Sequence, residues 1–188
     1  MKKKLHTEFN TINFMTTRFL HNHMAIDLGS PLNNIVYKND ENFLFMLWLV
    51  GFTDGEGTFS VEINKRTDMK TGYQVQISYI ITQHGRDLDL LLKIKNNLNN
   101  SGEIKLNRGK NGGNVYQYRV RNIETIKNLI IPIFSNFPLK TMKNLDFQDF
   151  KLVAELIEKK EHLTPEGIEK IRKIKEGMNR GRNTNNIN

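Results

Sequence analysis

The 188-residue chain contains no cysteine. That removes disulfides and thiolate metal sites, and gives no sign of secretion. No apolar run approaches the ~18 residues of a membrane-spanning helix without polar interruption, so no membrane partner is expected. The first 39 residues lack the clean apolar stretch of a signal peptide. Glu8, Asp27 and few arginines also fit a transit peptide poorly. Acids are in the minority, 20 Asp and Glu against 28 Lys and Arg, for a net charge of +8 and an isoelectric point near 9.6. A polyanion is the first partner such a surface suggests, although a generic basic protein such as a ribosomal one shares the composition. Asn, Lys and Ile are used heavily, as in AT-rich organellar coding sequence.

The most informative stretch is Phe43–Phe59, FLFMLWLVGFTDGEGTF. Asp40 stands before it as a candidate N-cap. From Phe43 to Phe52 there is neither proline nor charge, which predicts a helix buried on more than one side. Leu47, Gly51 and Gly55 recur at i, i+4, i+8, with Val50 and Asp54 beside them, so a second backbone could approach closely. Asp54-Gly-Glu-Gly57 then stops the helix and leaves two carboxylates at its negative end. Acids there are disfavoured by ~0.3–1 kcal/mol each. A hard divalent cation, bound by carboxylate and carbonyl oxygens, would relieve that conflict. Two solvated acids in a Gly-rich turn are the plainer reading.

Beyond the helix the chain alternates. Strands are expected at Thr58–Lys65, Tyr73–Thr82, Glu103–Asn107 and Val115–Arg121, with turns at Arg66–Gly72 and Gly109–Asn114. Helices are expected at Arg86–Leu98, Ile123–Phe134 and Leu145–Lys159. A last basic helix begins at Thr164-Pro165-Glu166, with Thr as cap and Pro at the first helical position. The order gives an α+β fold: one antiparallel four-stranded sheet with helices on one face. The expected domains are a flexible arm (1–39), a core domain (40–160), a basic helix (161–179) and a disordered tail (180–188). The open face would present Ser60, Glu62, Asn64, Arg66, Gln74, Gln76, Ser78, Lys105, Asn107, Gln117, Arg119 and Arg121. Arg, Asn and Gln are the side chains that read base edges, and a β-ribbon fits the major groove. Lys105, Arg108 and Lys110 suit phosphates better than bases. A polar outer face is also what any half-exposed sheet carries, but this one holds only Glu62 and Glu103 as acids.

Leu49–Gly57, LVGFTDGEG, resembles the signature nonapeptide of the LAGLIDADG homing endonucleases, in the branch with a single motif per chain. Val50, Thr53, Gly55 and Glu56 depart from the pattern; Glu56 keeps a carboxylate where the family has its second Asp. Ile81-Thr-Gln83 resembles the family's strand-end Gln, and Pro138–Lys143 with Asn144–Phe147 is similar to the segment before its last core helix. The resemblance spans roughly residues 41–160. It implies the αββαββα fold and a metal-dependent double-strand DNA endonuclease that promotes mobility of a group I intron. It implies Mg²⁺ held by Glu56 and the Gly55 carbonyl, and Gln83 orienting water. Lys143 would act at the phosphate, with Lys140 as the fallback, and Arg86 is the candidate for a basic residue after Gln83. No second copy of the motif is present, so a homodimer is expected through Leu47, Val50, Gly51 and Asp54, with Asp54 bracing the paired helix ends. The alternatives are an intron maturase binding group I intron RNA, and a DNA-binding regulator that does not cut. The expected compartment is the mitochondrion, or else the chloroplast.

Overall fold

A computed structural model describes residues 41–107 and 113–182. The proposed arm (1–39), Asp40 as cap, and Arg108 and Lys110 as phosphate contacts lie outside the described residues. Nine-residue β1 (Gly57–Lys65) follows α1 (Glu41–Glu56) with no intervening loop. The junction requires Gly57: a Cβ there would lie 2.5 Å from Thr53 Cγ2 and 2.9 Å from the Thr53 carbonyl oxygen. β2 (Tyr73–His84) returns antiparallel, and a 3₁₀ turn at Gly85–Asp87 leads into α2 (Leu88–Asn97). β3 (Glu103–Asn107) and β4 (Val115–Val120) complete the sheet, in the order β1-β2-β4-β3.

The helical segment 123–136, α3, is not one regular helix. Ile123–Thr125 and Ile131–Asn136 are α-helical, and Ile126–Ile130 forms a π turn. Pro132 has no N–H to donate back to residue 128, so the preceding turn widens. α4 (Lys143–Glu158) packs against β1, and α5 (Pro165–Glu176) packs against α4. Thr164 caps α5 as its sequence indicates, its hydroxyl accepting from the Gly167 N–H at 3.0 Å.

The core lies on one side of the sheet. Phe59 and Val61 of β1, Ile77, Tyr79 and Ile81 of β2, and Tyr118 and Val120 of β4 share one cluster with Leu91, Ile126, Phe147 and Phe150 of the helices. Phe59 is its centre, with ring centroids 5.2 Å from Phe134 and 5.3 Å from both Phe147 and Phe150. Strand alternation thus separates an inner apolar face from an outer polar one.

The C-terminal segment belongs to this core. Ile171 and Met178 are buried in the same cluster. Asn179, at φ 52°, turns the chain back. Its N–H donates to Asp146 Oδ1 at 2.8 Å, and its side-chain amide donates to the Phe59 carbonyl at 3.0 Å. Arg182 then reaches Asp146 at 2.9 Å and Asp149 at 2.6 Å. The tail expected to be disordered from residue 180 therefore stays folded through Arg182, because a half-buried guanidinium finds two carboxylates on the first turns of α4. No helix of the described residues is long and apolar enough to cross a membrane.

Candidate nuclease site and DNA interface

α1 does not bury its apolar surface on several sides, as its composition suggests. Only Leu49, Val50 and Thr53 are buried, while Leu44, Leu47 and Trp48 are 48%, 43% and 40% exposed. Leu44, Leu47, Gly51 and Gly55 follow one another along this outer side. A Cβ added at Gly51 or Gly55 would meet nothing within 4 Å. Two residues of the expected interface fall elsewhere. Val50 packs into the chain's own core. Asp54 is committed to its own chain: its carboxylate accepts from the Lys140 N–H at 2.7 Å, and from the Thr141 hydroxyl at 2.7 Å and N–H at 3.2 Å. It braces the Lys140–Thr141 segment of its own chain.

Lys143 lies at the first position of α4 and closes the end of α1. Its ammonium donates to the carbonyls of Thr53 at 2.8 Å, Asp54 at 2.9 Å and Gly55 at 3.3 Å. Those are last-turn carbonyls with no intrahelical donor, at the negative end of the helix dipole. Burial pushes the Lys143 ammonium below its usual range, and the carboxylates of Asp54, Glu56 and Asp146 oppose that shift. The expected phosphate-facing lysine is thus held as a helix cap, on the very carbonyl assigned to the metal.

Burial acts to raise the Asp54 carboxyl, but donation from Lys140 and Thr141 and the charge of Lys143 outweigh it and hold it below 3.8. The unfolded chain then protonates first as pH falls. The stabilisation is fully present above 3.8 and is lost as pH drops through the folded value. Asp54→Ala is expected to cost ~1–2 kcal/mol, at the low end because solvent reaches the site. Acid melts would check it: the variant's deficit should shrink below that window, and an equal deficit at all pH values would refute the assignment.

Glu56 is exposed, the last residue of α1. Its carboxylate and the Gly55 carbonyl are hard oxygen donors, the type Mg²⁺ takes. No group of three or more His, Cys, Asp or Glu suited to a metal occurs among the described residues. The ladder pairs Gly57 with Ile81. Gln83 lies two residues farther along β2, half-buried, on the same side of the strand as Ile81, beside the Glu56–Gly57 junction. Arg86 is 81% exposed in the following turn, 3.4 Å from Asp87. The side chain of Lys140 is exposed while its N–H holds Asp54.

On the outer face the register pairs Ser60 with Ser78, Glu62 with Gln76 and Asn64 with Gln74. It pairs Arg119 with both Ile80 and Glu103, and Gln117 with both Thr82 and Lys105. Asn107 and Arg121 are exposed at its border. Ser78, expected on the open face, is instead fully buried opposite Ser60 and presents no atom to a groove. Arg66 forms a bidentate pair with Asp68 at 2.8 and 2.7 Å within the β1–β2 turn, and that donation holds the Asp68 carboxyl down at about 2. Thr82, the last residue of the expected second strand, stands opposite Gln117 on the outer face and was not among the expected contacts; the strand itself runs two residues longer, to His84. The parity of Gln74 and Gln76 would have found it.

A family model described as LAGLIDADG endonuclease matches residues 49–154. The chain belongs to the LAGLIDADG endonuclease family. The segment 155–182, with α5 and the Arg182 clamp, lies beyond that match. Among relatives, Probable intron-encoded endonuclease 3 of Neurospora crassa is 36% identical over 131 residues, 70% of this chain and 24% of that protein. Probable intron-encoded endonuclease Cox1-I1b of Schizosaccharomyces pombe is 32% identical over 145 residues, 77% of this chain and 35% of that one. The chain spans about a quarter to a third of the length of these curated relatives. Among solved structures, the meganuclease I-SmaMI bound to uncleaveable DNA superposes with a TM-score of 0.69 at 36% identity, over 73% of this chain and 45% of that one. The homing endonuclease I-TnaI gives 0.66 at 38% identity, over 72% and 88%. I-SmaMI has also been determined on uncleaved DNA target in the presence of calcium ions.

Proposed function

We propose that this chain is one half of a site-specific homing endonuclease that cuts both strands of duplex DNA with a divalent metal, Mg²⁺ as the natural choice. One observation carries the reading. The exposed carboxylate of Glu56 sits where the open apolar stripe of α1 meets the polar sheet. A protein that only bound nucleic acid would have no use for an acid there, since it repels phosphate.

The outer sheet face supplies the groove contact. Gln74, Gln76, Asn64 and Glu62 on β1 and β2, and Gln117 and Arg119 on β4, match base edges, while Lys105 and Arg121 suit the backbone. Nothing among the described residues explains the glycines at 51 and 55, since added Cβ atoms would meet nothing within 4 Å. A second α1 helix against Leu44, Leu47, Gly51 and Gly55 explains them, and brings two Glu56 carboxylates together about a two-fold axis. The like charges would repel unless cations lay between them. Glu56 and the Gly55 carbonyl would hold the metal, which when bound neutralises charge at the phosphate and acidifies a water. Gln83 would orient the attacking water, and Lys143 fixes the α1 terminus from which Glu56 projects. The partner is a second copy of this chain. The 88% coverage of I-TnaI supports this, since the family includes a chain of similar size. The Cox1-I1b relative and the ND4-intron protein of Podospora anserina favour a mitochondrial intron as the source. The names of the relatives and the DNA in the I-SmaMI structures favour cutting over an RNA maturase role.

The test is incubation of purified chain and Mg²⁺ with duplex spanning the joined exons, together with sedimentation on the same DNA. Both strands should be cut, with two chains per duplex, and Gly51→Leu should abolish the two-chain complex. Absence of cutting with one chain per duplex would overturn the proposal, and accelerated splicing without cutting would favour the maturase.

A further inference from the structure

The outer sheet face carries two acids in different circumstances. Glu62, opposite Gln76, has no basic partner among the described residues. Glu103 stands in the most basic part of the sheet. Its carboxylate reaches Lys105 Nζ at 2.6 Å and Arg121 Nη1 at 3.6 Å. Arg119 lies directly opposite in the β3–β4 register. All four residues line one shallow depression of about 190 Å³. The Lys105 ammonium holds the Glu103 carboxyl below its usual range; burial opposes this, and the charges of Arg121 and Arg119 add to it. Lys105 remains 68% exposed and Arg121 40%. Both can therefore swing to another anion without unfolding anything.

We propose that Glu103 is a built-in counter-anion which masks Lys105 and Arg121, and so holds down indiscriminate binding to nucleic acid. The inference rests on the DNA-binding reading above. A phosphate approaching this corner must displace a carboxylate already in contact with the cations, and is itself repelled by it. Random duplex offers only phosphates and gains little from the exchange. A duplex whose bases also engage Gln74, Gln76, Gln117 and Arg119 has contact energy elsewhere to offset it. Glu103 thus lowers affinity for every sequence and improves the ratio between the right one and the rest, which is specificity by penalty.

The test uses the full chain and its Glu103→Gln variant, an isosteric change at a largely solvated site. Binding to a random-sequence duplex pool is measured by fluorescence anisotropy across a KCl series. The variant is expected to bind about 3- to 10-fold tighter at physiological salt. Its log–log salt slope should steepen by about one, as one more phosphate contact goes uncompensated. Lys105→Met should cost less than about 2-fold alone and remove most of the gain on the Glu103→Gln background. An unchanged affinity, or a gain indifferent to Lys105, would overturn the proposal. Weaker binding to the cleavage target with no gain on random duplex would also overturn it, and would mark Glu103 as a reader of cytosine instead. Elution from heparin separates this failure from failure of the DNA reading. A shift of Glu103→Gln to higher salt supports masking even if no duplex is bound, and identical elution refutes it even if duplex is cut.

Discussion

Glu56→Gln is expected to abolish cleavage, by about 10³-fold or more, and to leave DNA affinity within a few-fold of the native chain. The carboxylate is exposed at the end of α1 and makes none of the hydrogen bonds that hold that end in place. Those come from Lys143 to three carbonyls, and from Asp54 to Lys140 and Thr141. Removing the charge should therefore not move the helix. It removes the one acid at the junction positioned to bind a cation, and losing several kcal/mol of transition-state charge stabilisation corresponds to that range of rates. Affinity should hold or rise slightly, because a negative charge near phosphate has gone. Single-turnover cleavage beside an anisotropy titration reads both quantities. Retained cutting would remove Glu56 from the chemistry, and lost binding would make its role structural. Glu56→Asp is the conservative partner: it shortens the reach by one methylene and keeps the charge, so it should cut at an intermediate rate.

The same region shows why some of the molecule was legible in its residues and some was not. The strands were legible because period-two alternation is local: Phe59, Val61, Tyr79, Ile81, Tyr118 and Val120 face inward as their spacing requires. The Thr164 cap and the Gly-rich stop of α1 were legible for the same reason. Contacts made across long stretches of chain left no such trace. Asp54 reads from the sequence as one of the expected interface residues, until Lys140 and Thr141 come to it from 86 and 87 residues away. Asp146, Asn179 and Arg182 carry no periodic signal, yet they lock the segment after α5 onto α4 and the β1 backbone. The uncovered side of α1 misled in the opposite sense. Apolar composition predicted a helix buried on more than one side, and in the single chain Leu44, Leu47 and Trp48 are exposed. Composition states that a surface must be covered, and not by which chain.

Lys143→Met is expected to damage both stability and cleavage, and the two losses can be measured apart. An ammonium has three N–H donors, and at Lys143 all three point at carbonyls of the last turn of α1. The contacts at 2.8 and 2.9 Å are well formed, and the one to Gly55 at 3.3 Å is the weakest. Methionine fills similar space but leaves those carbonyls without a donor at the negative end of the dipole. The expected cost is ~1–2 kcal/mol, about 3–8 °C in Tm for a domain of this size. Cleavage should fall about 10²-fold further than lost folding explains, because the terminus that aims Glu56 loses its tie to α4 and a cation disappears from beside it. Lys143→Arg separates the two. It keeps the charge, but a planar guanidinium cannot converge on three carbonyls as an ammonium does. Its Tm should lie between those of the native and Met proteins, with cleavage recovered in part. A Met variant that melts like the native chain would refute the cap. A Met variant that cuts like the native chain at a temperature where both are folded would show that neither the cap nor the charge of Lys143 serves cleavage beyond holding the fold.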